Sequence, residues 1–183
     1  MNTHEMAQVL VVGGGPAGLA TAIEARRRGL DVLVVDRGEP PIDKACGEGL
    51  MPDGVERLEA LGVYLDPEAV WPFRGIRYLD GELVAEAEFP AGVGLGVRRP
   101  VLHGAMVRRA EELGVRMSWR VTARGLVSGG VESDRGRLAA EWVVGADGLH
   151  SRVRRWAGLE GPSKGPRRFG VRRHYGREPW SDR

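Results

Sequence analysis

The 183-residue chain predicts an α/β protein built on a parallel sheet, for three reasons read directly from its first 36 residues. Gln8 to Val12 is a short, nearly continuous apolar run, the pattern of a strand buried on both faces. It breaks at Gly13-Gly14-Gly15-Pro16-Ala17-Gly18, after which Leu19 to Arg28 reads as a helix with an apolar Leu19/Ala22/Ile23 face. Val32 to Val35 is a second apolar run, ending at Asp36-Arg37. Strand, helix and strand within 30 residues make one βαβ unit, right-handed by the general rule. Arg26-Arg27-Arg28 closes the helix with cations that suit its dipole, and Gly29 supplies the stop.

Beyond this unit the punctuation is set by Gly and Pro. Residues 38–51 read as a loop, and Pro52 to Leu61 as a helix with Pro at its start and Gly62 after its end. Phe73 to Leu79 and Leu83 to Phe89 flank Asp80-Gly81, a hairpin signal. Val93 to Val97 predicts a strand and Val101 to Leu113 a helix closed by Gly114. The runs 115–121, 124–128 and 137–144 predict a small antiparallel meander beside the parallel sheet. Ser151 is placed to cap a short helix over Arg152 to Ala157. Gly158 to Pro166 reads as a linker, and the weak alternation of Arg168 to Tyr175 as a strand.

Composition narrows the class. A hydrophobic share of 42% with 28% charged residues is that of a globular protein with a real core. One Cys cannot form an internal disulfide, which points to a reducing, cytoplasmic setting. No apolar run approaches the ~20 residues of a membrane span, and Met1 to Gln8 lacks the pattern of a signal peptide. Residues 1–150 carry 17 basic and 22 acidic side chains, whereas residues 151–183 carry 10 and 3. That basic stretch reads as a solvated helix face and edge strand. Neither an aromatic platform nor a zinc spacing accompanies it, so nucleic acid is not an expected partner. His4, His103, His150 and His174 show no ligand spacing and read as surface or helix-terminus residues, with no metal site expected.

The chemistry concentrates at Gly13-x-Gly15-x-x-Gly18, which opens a helix directly after a strand. Gly13 permits the tight turn, Gly15 lets the backbone approach a pyrophosphate, and Gly18 lets helix pack on strand. The helix N-terminus, with Pro16 and Ala17 in its first turn, offers free N–H groups and the positive end of its dipole to an anion. Asp36, 18 residues after Gly18, stands where a carboxylate accepts hydrogen bonds from the hydroxyls of an adenine-linked ribose and repels a 2′-phosphate. These residues alone leave NAD and FAD open.

Two segments separate them by resemblance. Gly13 to Ala20 resembles the start of FAD-dependent oxidoreductases of the glutathione-reductase-like fold. Val144-Gly145-Ala146-Asp147-Gly148-Leu149-His150-Ser151-Arg152-Val153-Arg154 resembles the second signature of the class A flavoprotein monooxygenases, the para-hydroxybenzoate hydroxylase group. The resemblance implies a Rossmann-like FAD-binding domain carrying a β-meander, followed by the start of an antiparallel substrate-domain sheet. It implies FAD as cofactor and NAD(P)H as co-substrate, with Asp147 and Gly148 against the FAD. Arg99-x-x-Leu102 matches the family's Arg-x-x-Leu element, so Arg99 is expected at the cofactor's flank, Val121 at the adenine, and Arg37 beside Asp36. Lys44-Ala45-Cys46-Gly47-Glu48-Gly49-Leu50-Met51-Pro52 looks like the Cys-Gly loop of geranylgeranyl-reductase-like flavoproteins, which places Lys44, Cys46 and Gly47 on the flavin side. From the residues alone, Cys46 reads equally as a small packed hydrophobe or a reactive thiol.

The implied domains are residues 1–70 with 99–158 for FAD, and 71–98 with 159–183 for the beginning of the substrate domain. The implied activity is NAD(P)H-dependent hydroxylation of a small organic molecule. Reduction of prenyl-type double bonds, flavin halogenation, a non-catalytic flavin-binding module and a plain NAD-binding domain are the alternatives. The family's third motif, a Gly-Asp pair ahead of a helix, is not found after Arg154. The chain is therefore expected to be the N-terminal portion of a longer enzyme, to need the remainder or a second chain, and not to turn over substrate alone.

Overall fold

The structure, a computed structural model, describes residues 6–161, 169–178 and 181–183. In chain order its elements are β1 (Ala7–Val12), α1 (Pro16–Arg27), β2 (Val32–Asp36), β3 (Gly49–Leu50), α2 (Pro52–Ala60), β4 (Val70–Phe73), β5 (Gly75–Asp80), β6 (Leu83–Glu88), β7 (Gly94–Val97), α3 (Arg99–Glu112), β8 (Arg116–Trp119), β9 (Ala123–Val127), β10 (Gly130–Ser133), β11 (Gly136–Gly145) and α4 (Arg152–Trp156). Two compact units divide them, Met1–Ile42 with His103–Pro166, and Asp43–Leu102 with Arg167–Arg183. Residues 43–70 thus fall in the second unit.

The first unit is a six-stranded sheet in the order β8-β2-β1-β11-β10-β9. Its first four strands run parallel, with Leu10 paired to Leu33 on one side and to Val143 on the other. β11 is long enough to serve two neighbours. Ala140 to Gly145 lie in register with β1, while Gly136 to Ala139 turn back on β10 in an antiparallel ladder. That one strand joins the parallel sheet to the meander. On the meander side Leu10, Val12 and Val35 pack with Val121, Val131, Ala140 and Val153. α1 buries Leu19, Ala22 and Ile23 and packs on β1 and β2. Full burial of each Leu, Ile or Val among them stabilises by about 1.5–3 kcal/mol. It is this two-sided burial that makes the apolar runs of β1 and β2 continuous rather than alternating.

The second unit has a three-stranded antiparallel sheet, β3-β7-β4, and the separate hairpin β5–β6. The hairpin turns at Gly81, whose φ of +57° is the left-handed conformation the Asp-Gly signal asks for.

Four sequence expectations are corrected. The run 115–121 does not belong to the meander. Its core, β8, lies parallel to β2 at the sheet edge, where the crossover through α3 delivers it. The third meander strand is β10, which the glycines hid. Gly130 sits at φ +149°, and a Cβ there would collide with the backbone of Leu138. The loop 38–51 contains the short strand β3, paired with β7. Residues 169–175 form no strand. Phe169 and Val171 are exposed, and the segment is held by side chains, Arg172 and His174 reaching Asp43 and Glu48, rather than by a ladder. Residue 168 lies outside the described residues. Among the described residues no helix is long and apolar enough to cross a membrane.

Candidate functional site

The glycine turn is a buried floor under an open rim. Gly13, Gly14 and Gly18 are buried, Gly15 and Pro16 are half-buried, and Ala17 is exposed. Gly13 has φ +116°, and a Cβ on it would meet Ala146 C at 2.5 Å and Asp147 N at 2.8 Å, so the turn after β1 and the turn after β11 need a glycine where they touch. A Cβ on Gly18 would collide with the Gly13 carbonyl. α1 starts at Pro16 with Gly15 as its N-cap; no side chain caps it, and no acid stands in its first turn. The first N–H groups of a helix have no intrahelical acceptor, so this end is left to take an anion.

Asp36, at the end of β2, braces the turn. Its Oδ2 accepts from Gly14 N–H at 2.8 Å and its Oδ1 from Gly38 N–H at 2.7 Å. A carboxylate has about four acceptor positions, so two remain for a ligand. Val121 is buried, and its N–H already donates to the Asp36 carbonyl at 2.9 Å. Arg37 is exposed beside it.

Asp147 and Gly148 lie in the turn after β11, which is tied to β1 by Ala146 N–H donating to Val12 O at 2.8 Å. Asp147 uses its carboxylate on its own segment: Oδ1 accepts from Ser151 Oγ at 2.5 Å and Oδ2 from the N–H groups of Arg152 at 2.6 Å and Val153 at 3.2 Å. Ser151 Oγ in turn accepts from Arg154 N–H, which confirms the expected cap of α4. Burial raises the cost of ionising Asp147, but the Ser151 hydroxyl and the Val153 and Arg152 amides outweigh it and hold the carboxyl below its usual range. A folded-state pKa below the unfolded 3.8 adds stability above pH 3.8 that is lost as pH falls through the folded value. Asp147→Ala is therefore expected to cost about 1–2 kcal/mol at neutral pH, the scale of a lost cap. In urea titrations from pH 7 to pH 3 the deficit should shrink towards acid; a deficit constant with pH would show that the charge of Asp147 does not carry it.

Lys44, Cys46, Gly47 and Arg99 belong to the second unit. Lys44, Cys46 and Gly47 are exposed, and Cys46 is a free thiol. Their loop is held at both ends. Arg172 grips Asp43 through both carboxylate oxygens, at 2.9 and 2.8 Å, and Glu48 Oε1 at 3.0 Å. His174 Nε2 lies 2.6 Å from Glu48 Oε2. Glu48 Oε1 also accepts from Arg99 N–H at 2.8 Å, which caps α3. Glu48 has φ +54°, a strained setting for a non-glycine residue, kept in place by these bonds. Burial disfavours its charge, but the Arg99 amide, His174 and Arg172 together hold its carboxyl low. Arg99 Nε is buried and meets no hydrogen-bond partner among the described residues.

Two residues of the first unit were not singled out by sequence. His103 is no surface residue: it is fully buried, with Nε2 2.8 Å from Gly14 O and Nδ1 accepting from Ile42 N–H at 3.3 Å. Its one signal was the four-residue spacing from Arg99, which puts both on one helix face. Trp119, at the end of β8, closes over Gly14, where a Cβ would fall 2.8 Å from Trp119 Cη2. Nothing in its flanking sequence marked it, because only the placement of β8 beside β2 brings it there.

The profile of the FAD binding domain family matches residues 6–69 and 97–174. By sequence, the chain is similar to the menaquinone reductase of Mycobacterium tuberculosis, 39% identical over 121 residues, covering 64% of this chain and 30% of that protein. It is similar to digeranylgeranylglycerophospholipid reductase 1 of Methanothermobacter thermautotrophicus, 33% identical over 168 residues, covering 82% and 41%. By structure, it is similar to the tetrameric form of 2-methyl-3-hydroxypyridine-5-carboxylic acid oxygenase, with a TM-score of 0.74 and 29% identity, covering 84% of this chain and 43% of that one. The chain thus spans less than half the length of each.

Proposed function

The chain belongs to the FAD binding domain family, an enzyme family whose matched members are named reductases and oxygenases, and on that premise we propose that its first unit holds FAD for a flavin-dependent oxidoreductase. The observation that carries the assignment is the uncapped start of α1 at Gly15, above a turn whose floor admits only glycine. That donor set fits a pyrophosphate, and the Asp36 carboxylate fits the ribose hydroxyls. Bound FAD supplies two-electron redox chemistry. The chain's own part is to bind and orient it. The amides at the start of α1 take the phosphates, Asp36 takes the ribose while bracing Gly14, and the turn at Asp147-Gly148 supports the glycine turn from below.

The reaction proposed is reduction of a prenyl-type carbon–carbon double bond, with NAD(P)H as the electron source. The names of the sequence relatives support it, as does the likeness of the Lys44 to Pro52 loop to geranylgeranyl-reductase-like flavoproteins. Hydroxylation is the second reading, supported by the oxygenase neighbour. The purified protein is expected to show a flavin absorbance spectrum and to release FAD on denaturation. Anaerobic reoxidation of the NAD(P)H-reduced protein by a geranylgeranyl lipid, with two hydrogens gained across a prenyl carbon–carbon double bond of the product, identifies the reductase; oxygen uptake matched by a hydroxylated product identifies the second reading.

Asp36→Ala is expected to weaken FAD by roughly 1–3 kcal/mol, the cost of stranding hydrogen-bonding partners. Isothermal titration with FAD checks this, and an unchanged affinity would show that Asp36 does not hold the ribose.

A further inference from the structure

We infer that His103 is a positioning residue for the cofactor: its Nε2–H fixes the carbonyl of Gly14, and with it the direction in which Gly15 N–H faces the FAD pyrophosphate. The inference rests on the FAD assignment above.

A fully buried imidazole costs free energy unless its polar atoms are bonded. Both ring nitrogens of His103 are. Ile42 N–H donates to Nδ1 at 3.3 Å, so that nitrogen presents its lone pair. In the neutral ring the proton then sits on Nε2, which donates to Gly14 O at 2.8 Å. The other end of Gly14 is bound as well, its N–H donating to Asp36 Oδ2 at 2.8 Å. Three consecutive glycines have the widest conformational freedom available to a chain and the least tendency to set their own orientation. Here the orientation comes from outside, from an acid at the end of β2 and an imidazole on α3.

The consequence for the ligand follows from peptide planarity. Gly14 C=O and Gly15 N–H belong to one planar trans unit and point in opposite directions. Holding the oxygen on His103 therefore aims the N–H of Gly15, the N-cap of α1, away from His103. Without His103 this plane loses the bond that fixes its tilt between Asp36 and α1, and the amide at the phosphate end must be ordered by the ligand at its own cost.

Three variants of the full 183-residue chain separate positioning from packing. His103→Gln carries an amide donor close to the Nε2 position. His103→Asn keeps an acceptor near Nδ1 for Ile42 but has no donor in reach of Gly14. His103→Leu fills the space without either bond. Titration with FAD is expected to give a Kd within about threefold of the parent for His103→Gln, and about tenfold weaker for His103→Asn and His103→Leu, the scale of one hydrogen bond. A residue that only fills the core predicts the reverse, with His103→Leu the best binder. His103→Leu within twofold of the parent, or His103→Asn equal to His103→Gln, overturns the inference; if His103→Leu does not fold, the Asn–Gln comparison decides. In the parent, nitrogen-detected NMR is expected to find the proton on Nε2, and a proton on Nδ1 overturns the inference without any variant. A parent that binds no FAD overturns the proposed function together with this role. A parent that binds FAD as tightly as all three variants overturns this role alone.

Discussion

Gly18→Ala is expected to destabilise the chain by about 3 kcal/mol, the upper end of overpacking costs. A Cβ at this position collides with the carbonyl oxygen of Gly13 and lies 3.0 Å from its carbonyl carbon and 3.2 Å from Val11 Cγ1. None of these is the loose end of a flexible side chain. Gly13 is held in turn by its N–H, which donates to Val35 O at 2.8 Å, so relief requires α1 to lift from β1. Lifting it uncovers Leu19, Ala22 and Ile23, all fully buried. Urea unfolding followed by circular dichroism measures the loss; a cost below about 1 kcal/mol would show that the turn relaxes and that the helix–strand contact is not tight.

Gly15→Val is expected to leave the fold in place and to abolish FAD binding, a loss of a hundredfold or more. Gly15 has φ −75° and ψ 179°, an extended conformation open to any residue, and it is half-buried at the rim rather than in the floor. The side chain would project where the pyrophosphate is proposed to meet the start of α1, and a branched side chain keeps the phosphates from the amides. Flavin absorbance of the purified variant, with its circular dichroism spectrum as the control for folding, tests both halves. A folded Gly15→Val protein that retains FAD would sink the assignment of the site. Gly18 and Gly15 lie three residues apart in one motif, yet the expected failures differ: one breaks the protein and the other only its ligand site.

The glycine turn, the position of Asp36 at the end of its strand and the cap at Ser151 were legible in the sequence because each is decided within a few residues, whereas the bond from Gly14 N–H to Asp36 spans 22. Apolar runs of strand length, an Asp-Gly hairpin at 80–81 and a serine ahead of Arg152-Val153-Arg154 carry their physics locally. So does the sequence-read role of Gly18, which is the packing of a helix on the strand just before it. What Asp147 does with its carboxylate is a mixed case. The motif placed it at the turn, whereas the bonds to Ser151, Arg152 and Val153 were visible only once α4 had formed.

Tertiary structure decided the rest, for reasons of long-range pairing. Whether Arg116 to Trp119 joins a meander or a parallel sheet depends on which edge receives it. The β2 edge, reached through α3, is far from it in sequence, and a four-residue run contains no preference between the two. The same placement set Trp119 over Gly14. Arg172 and His174 were read as part of a strand, but no ladder receives them, and the acids of the 43–48 loop, more than 120 residues away, take them instead. His103 meets Gly14 across 89 residues. Periodicity reports which side of a helix is buried but not what lies against it, so the sequence determined that this chain has a glycine turn fit for a dinucleotide, and only the folded sheet and α3 decided what holds that turn in one orientation.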